Sequence, residues 1–167
     1  MVDVNSMDGV AYVEEDKLMQ HYFQPNDTDY SRQWHYFDQG TSINVEPAWD
    51  RATGNGVVVA VVDTGYRPHA DLIDNILPGY DMISDAFIGN DGDGRDNDAL
   101  DPGDATSVNE CGSGSPASSS SWHGTHVAGT IAAVTNNNSD VAGVAFDAKI
   151  LPIRALGKCG GYTSDIN

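Results

Sequence analysis

Basic residues are scarce in this chain: eight Lys and Arg stand against 25 Asp and Glu, a formal net charge of −17. Phosphate backbones are gripped by clustered Lys and Arg, so the shortage excludes nucleic acid as a partner. Long apolar runs are also missing. No stretch approaches the roughly eighteen residues that a bilayer-spanning helix needs, so no membrane partner is expected. The opening residues, Met1-Val2-Asp3-Val4-Asn5-Ser6, carry neither the basic nor the apolar part of a secretory signal. If the protein is exported, that signal is expected upstream. Cysteine is limited to Cys111 and Cys159, each with a glycine beside it. Their spacing fits neither a zinc pair nor a redox Cys-x-x-Cys. A long-range disulfide in an oxidising compartment is the preferred reading, with two unrelated thiols as the alternative.

What is present points to one domain with a sizeable core, since 167 residues with 40% hydrophobic content suffice for that. The run Val57-Val58-Val59-Ala60-Val61-Val62 reads as a buried strand ending in Asp63-Thr64-Gly65. Residues 85–121 are rich in Asp, Gly and Ser and read as a long functional loop. A helix is expected from His123 to about Thr135, with Val127, Ile131 and Val134 on one face and several Gly and Ala permitting close packing. A second strand follows at Ala148 to Ala155, and another helix begins near Thr163-Ser164-Asp165. Strand, helix, strand in this order implies an α/β fold on a parallel sheet.

Reactive groups of parallel sheets gather beyond the carboxyl ends of the strands, where Asp63 stands. His123 opens the helix and can face that acid. A carboxylate beside a histidine holds the tautomer that leaves the other ring nitrogen free as a general base. Either residue alone reads as structural, but the pair reads as two thirds of a hydrolytic triad. No nucleophilic serine is convincing: Gly40-Thr41-Ser42 precedes Asp63 and reads as a turn, and no Gly-x-Ser-x-Gly precedes the acid. His126 lies one turn from His123, but the general-base Glu of a His-Glu-x-x-His zinc helix is lacking, so zinc is not expected. His21, His35 and His69 have no evident partners.

Asp63-Thr64-Gly65 and His123-Gly124-Thr125-His126-Val127-Ala128-Gly129 together resemble the subtilase family of serine proteases, of secreted bacterial type. Pro25-Asn26-Asp27, Gln33-Trp34-His35-Tyr36, Val134-Thr135-Asn136-Asn137 and Val141-Ala142-Gly143-Val144-Ala145 extend the similarity over nearly the whole chain. The resemblance implies a three-layer fold, a mostly parallel β-sheet with helices on both faces, truncated here at the C-terminus. Residues 1–22 would be the end of an inhibitory propeptide, and 23–167 the N-terminal part of the catalytic domain. It implies an extracellular, monomeric serine endopeptidase with Asp63 as the acid and His123 as the base. The serine and oxyanion asparagine would lie beyond Asn167. Polypeptides and the chain's own propeptide would be its partners. A non-catalytic calcium-binding module on the same fold is the alternative.

The resemblance also implies Ca²⁺, held by Asp27, Asp71, Asn137 and the carbonyls of Val134, Ser139 and Val141, all oxygen donors suited to a hard cation. Asp91, Asp93 and Asp98 in the acidic loop are a second candidate set, with a solvated acidic loop as the alternative. An extended substrate would pair along Gly157, Gly160 and Gly161. A Cys111–Cys159 bond would brace that edge.

Overall fold

A computed structural model describes residues 13, 23–38 and 40–166. The propeptide reading of residues 1–22 lies outside the described residues except for Val13. Three parallel strands form one sheet in the order β1-β3-β2: β1 Val58–Asp63, β2 Tyr80–Asp81 and β3 Lys149–Arg154. The helices are α1 Glu46–Trp49, α2 Ala86–Gly89, α3 His123–Ala132 and α4 Thr163–Ile166. None of the described helices is long and apolar enough to cross a membrane.

The helix α3 lies on the sheet face formed by Val59 and Val61 of β1 and Ile150 of β3. Its deepest residues are Ala128 and Ala132, while the larger Val127 and Ile131 are only half-buried. The periodicity of the larger side chains suggested the reverse. The helix rides so close to the sheet that only methyl groups fit beneath it. It ends at Ala132, earlier than the pattern implied. The last-turn carbonyls of Thr130 and Ile131 accept from Val144 (3.0 Å) and Ala145 (2.8 Å), so the returning chain closes the helix end.

The valines of β1 do not form a strand buried on both faces. Val58, Ala60 and Val62 project from the face opposite α3 and are exposed among the described residues. A second core joins Tyr30, Tyr36, Val45, Trp49 and Ala142, with Phe23 and Phe146 against it. Gln33 holds this layer in place by donating to the Ala142 carbonyl and accepting from its N–H, both at 2.8 Å.

The acidic loop contains α2, whose first turn is capped by Asp85 accepting from Phe87 N (2.9 Å) and whose end is the left-handed Asn90. Beyond it, aspartates fold the chain locally. Asp96 accepts from Asp98 N (2.8 Å), Asp98 from Leu100 N (3.0 Å) and Asp101 from Gly103 N (2.8 Å). These are turns in which a side chain mimics the backbone, so much of this loop's acidity is structural.

One cation organises the carboxyl edge of the sheet. The register places Asp63, Arg154 and Asp81 side by side across β1, β3 and β2. Arg154 is 1% exposed and donates to Asp81, Asp91 and the Gly89 carbonyl. Two carboxylates share this guanidinium, and their proton affinities split. Burial pushes Asp81 up to about 6 despite the cation. At Asp91 burial also raises the pKa, but the Arg154 charge and nearby hydrogen bonds outweigh it and the net direction is down. Replacing Arg154 by Met would leave both acids without a counter-charge. A loss of about 3–5 kcal/mol in unfolding free energy is expected, measured by urea denaturation at neutral pH; an unchanged midpoint would show the cluster to be dispensable.

Candidate active site

The turn after β1 and the start of α3 meet at Asp63 and His123. His123 Nδ1 lies 2.9 Å from Asp63 Oδ1 and 2.8 Å from Oδ2. Asp63 is buried, whereas the imidazole is 63% exposed, so the pair has one dry end and one open end. Asp63 Oδ1 also accepts from Thr64 N at 2.7 Å, which fixes the carboxylate. With a carboxylate on Nδ1, the ring carries its proton there and presents the Nε2 lone pair outward.

Thr64 links the two elements, a role that its place in the Asp63-Thr64-Gly65 motif does not reveal. Its hydroxyl accepts from Gly124 N (3.0 Å) and donates to Asp101 (2.9 Å). Burial raises the proton affinity of Asp101, opposed by its bonds to Gly103 and Thr64. Gly65 has φ +88, and a side chain on Gly124 would overlap the Gly65 carbonyl. Both glycines are therefore required for the close approach that sets Asp63 against His123. Trp122 precedes His123 in a left-handed conformation, φ 50, with the Arg67 guanidinium 4.7 Å from its ring centre. Nothing in a lone sequence signals that a tryptophan takes this conformation.

His123 opens onto a cleft of about 410 Å³ that Gly157, Gly160, Cys111 and Cys159 also line. Gly157 and Gly160 exchange backbone hydrogen bonds at 2.8 and 3.1 Å and close a tight turn after β3. Only Gly160 faces open space; side chains at Gly157 and Gly161 would strike the carbonyls of Ile88 and Ala155. Gly160 thus has open space beside it, whereas Gly157 and Gly161 are required as glycines by the chain's own packing. Asp63 O accepts from Ala155 N (2.8 Å) and Leu156 N (3.1 Å), which ties this edge to the acid. Among the described residues no serine bonds to His123 Nε2. Ser42 Oγ accepts from Asn44 N in a separate turn, as expected for a decoy.

The residues expected to hold calcium converge from three segments. Asp27 is 5% exposed, its Oδ2 accepts from Asn136 N (2.9 Å), and its Oδ1 is buried with no partner. Asp71 is also buried, accepting from Asn137 Nδ2 (2.6 Å) and Val141 N (3.2 Å), while its carbonyl accepts from Val134 N (2.7 Å). Burial raises the proton affinity of Asp71, with Asp140 and Asp27 adding to the rise and its hydrogen bonds opposing it. Ser139 belongs to the same turn, donating to Asn137 Oδ1 at 2.8 Å. Among the described residues no three His, Cys, Asp or Glu side chains gather to hold a metal, around Asp27 and Asp71 as in the acidic loop. Asp91, Asp93 and Asp98 line one cavity of about 500 Å³ together with Asp96 and Asp101; Arg154 also donates to Asp91, and Asp98 accepts from Leu100 N.

The chain is similar to known proteins over most of its length. Residues 54–167 match the model described as the subtilase family of peptidases. An extracellular protease of Xanthomonas campestris is 59% identical over 94% of this chain and 27% of its own length. An extracellular basic protease of Dichelobacter nodosus is 52% identical over 99% of this chain and 28% of its own. The chain thus spans a little over a quarter of these curated relatives. A solved protease structure from Pseudoalteromonas arctica is 67% identical and superposes with a TM-score of 0.83, covering 85% of this chain and 42% of that one.

Cys111 and Cys159 are bonded, with Cα atoms 5.4 Å apart, joining the acidic loop to the turn after β3. The bond closes a long loop and lies on the cleft wall. Reduction, or Cys159→Ser, is expected to cost on the order of 3–4 kcal/mol, read by denaturation with and without reductant. Coincident curves would show that the bond contributes nothing to stability.

Proposed function

Because this chain belongs to the subtilase family, we propose that its residues form the acid–base half of a secreted serine endopeptidase. The observation that carries this reading is the Asp63–His123 pair, bonded through Nδ1 with the opposite ring edge on the cleft. Asp63 orients the ring and stabilises the imidazolium that forms as Nε2 takes the nucleophile's proton. His123 then returns that proton to the leaving amine. The serine hydroxyl attacks the peptide carbonyl, and the acyl-enzyme is released by water. That serine is not among these residues, so the reading takes it from elsewhere in the gene product. An extended polypeptide is the substrate, passing over Gly160 by backbone pairing.

The same reading includes a structural Ca²⁺ at Asp27, Asp71, Asn137 and the carbonyls of Val134, Ser139 and Val141. The unpartnered buried Oδ1 of Asp27 and the buried Asp71 beside it support this, since two such acids are more stable with a cation between them. The ion would clamp the 134–141 turn to the segment after β1.

Two measurements test these assignments. In the full gene product, Asp63→Asn or His123→Ala should lower kcat for peptide hydrolysis roughly 10⁴-fold with circular dichroism unchanged. Retention of a tenth of the activity by either variant would refute the assignment. Chelation should lower Tm, because a metal bound only by the folded state stabilises it by mass action. Asp71→Ala should abolish most of that sensitivity, and a melting curve indifferent to chelator would remove the cation from the reading.

A further inference from the structure

We propose that the cleft beside His123 selects a basic side chain, Lys or Arg, from the substrate, and that Asp104 sets this preference. The inference rests on the peptidase reading and names the substrate class of that same site. Among the described residues Asp104 is the one acid lining the cleft. Its carboxylate is held rigidly by Ser121, accepting from the backbone N at 2.6 Å and the hydroxyl at 2.7 Å. Ser121 Oγ in turn accepts from His123 N at 3.3 Å, so the carboxylate and the imidazole share one short tether.

No cation among the described residues neutralises this group. The basic residue next to the cleft wall, Lys158, is committed to Glu110 at 2.8 Å. A carboxylate offers about four acceptor positions, and Ser121 occupies two of them. The remaining capacity faces a space of about 410 Å³. The other walls suit a long cationic side chain. Leu156 and the Cys111–Cys159 bond present apolar surface for its methylene stem. Thr106 and Ser118 pair their hydroxyls at 2.9 Å and leave lone pairs for an ammonium or guanidinium tip. An acidic side chain would meet Asp104 at close range with no counter-charge, and the net charge of −17 adds to that repulsion. Asp104 could instead serve only to cap the turn at Ser121, a task that Asn performs as well. This difference defines the experiment.

The test uses the full gene product and peptide substrates carrying Lys, norleucine or Glu at one position at a time around the cleaved bond. At one position the kcat/KM ratio of Lys to norleucine should be on the order of tenfold, with Glu the poorest. Asp104→Asn should bring that ratio to about one, and added salt should shrink it in the unaltered enzyme. Should Asp104→Asn fail to fold, Ser118→Lys provides the second variant, since a cation inside the cleft should invert the preference. A ratio near one at every position, or a ratio that survives Asp104→Asn, overturns the proposal and leaves the peptidase reading standing. Absence of hydrolysis for every peptide overturns the peptidase reading and this proposal with it.

Discussion

The guanidinium of Arg154, buried at the end of the central strand, holds together the edge of the sheet on which the site is built. Arg154 is flanked in register by Asp63 on one side and Asp81 on the other, and it reaches past the sheet to Asp91 and the Gly89 carbonyl. A buried cation of this kind is costly unless several acceptors surround it, and here they come from β2, α2 and the acidic loop. One side chain thereby fixes where the loop leaves the sheet. Its stem also lies beneath Gly65, the residue that turns the chain after Asp63. The dry, rigid end of the Asp63–His123 pair thus stands on an ionic cluster rather than on an apolar layer.

From that cluster outward, the chain's acidity is put to separate uses. Aspartates at 96, 98 and 101 fold the loop by accepting from N–H groups two residues on. Asp165 and Glu110 form ion pairs with Arg95 and Lys158 that hold later segments against the loop. Asp27 and Asp71 are buried where three segments meet, and one oxygen is left without a donor. Among the described residues Asp104 is the acid that lines the cleft, and no Lys or Arg pairs with it. A net charge of −17 therefore does not describe a uniform surface. It sums turn-building, pairing and open carboxylates whose environments differ.

The parallel sheet, the helix that starts at His123 and the pairing of that histidine with Asp63 were legible because each depends on local pattern: an apolar run, small residues at helical spacing, and two intact motifs. The reading was less accurate where packing partners decide the outcome. The valines of β1 suggested a strand covered on both sides, yet among the described residues only one face carries a long helix. Val127 and Ile131 were expected to lead the buried stripe, but Ala128 and Ala132 occupy it because the helix sits so close to the sheet.

By itself the sequence determined the chemistry available: an acid at a strand end, a histidine at a helix start, two cysteines, and a surplus of carboxylates. Beyond the Asp63–His123 pair and the Cys111–Cys159 bond, tertiary structure decided which of these groups meet. Thr64 bridges α3 and Asp101, Trp122 takes a left-handed turn before the base, and Asp104 is held by Ser121 at the cleft. The physical reason is the range of the forces involved. Strand and helix preferences act over a few residues and leave a trace in local spacing. Charge pairing and close packing act between segments distant along the chain, and their partners exist only once the backbone has brought them together.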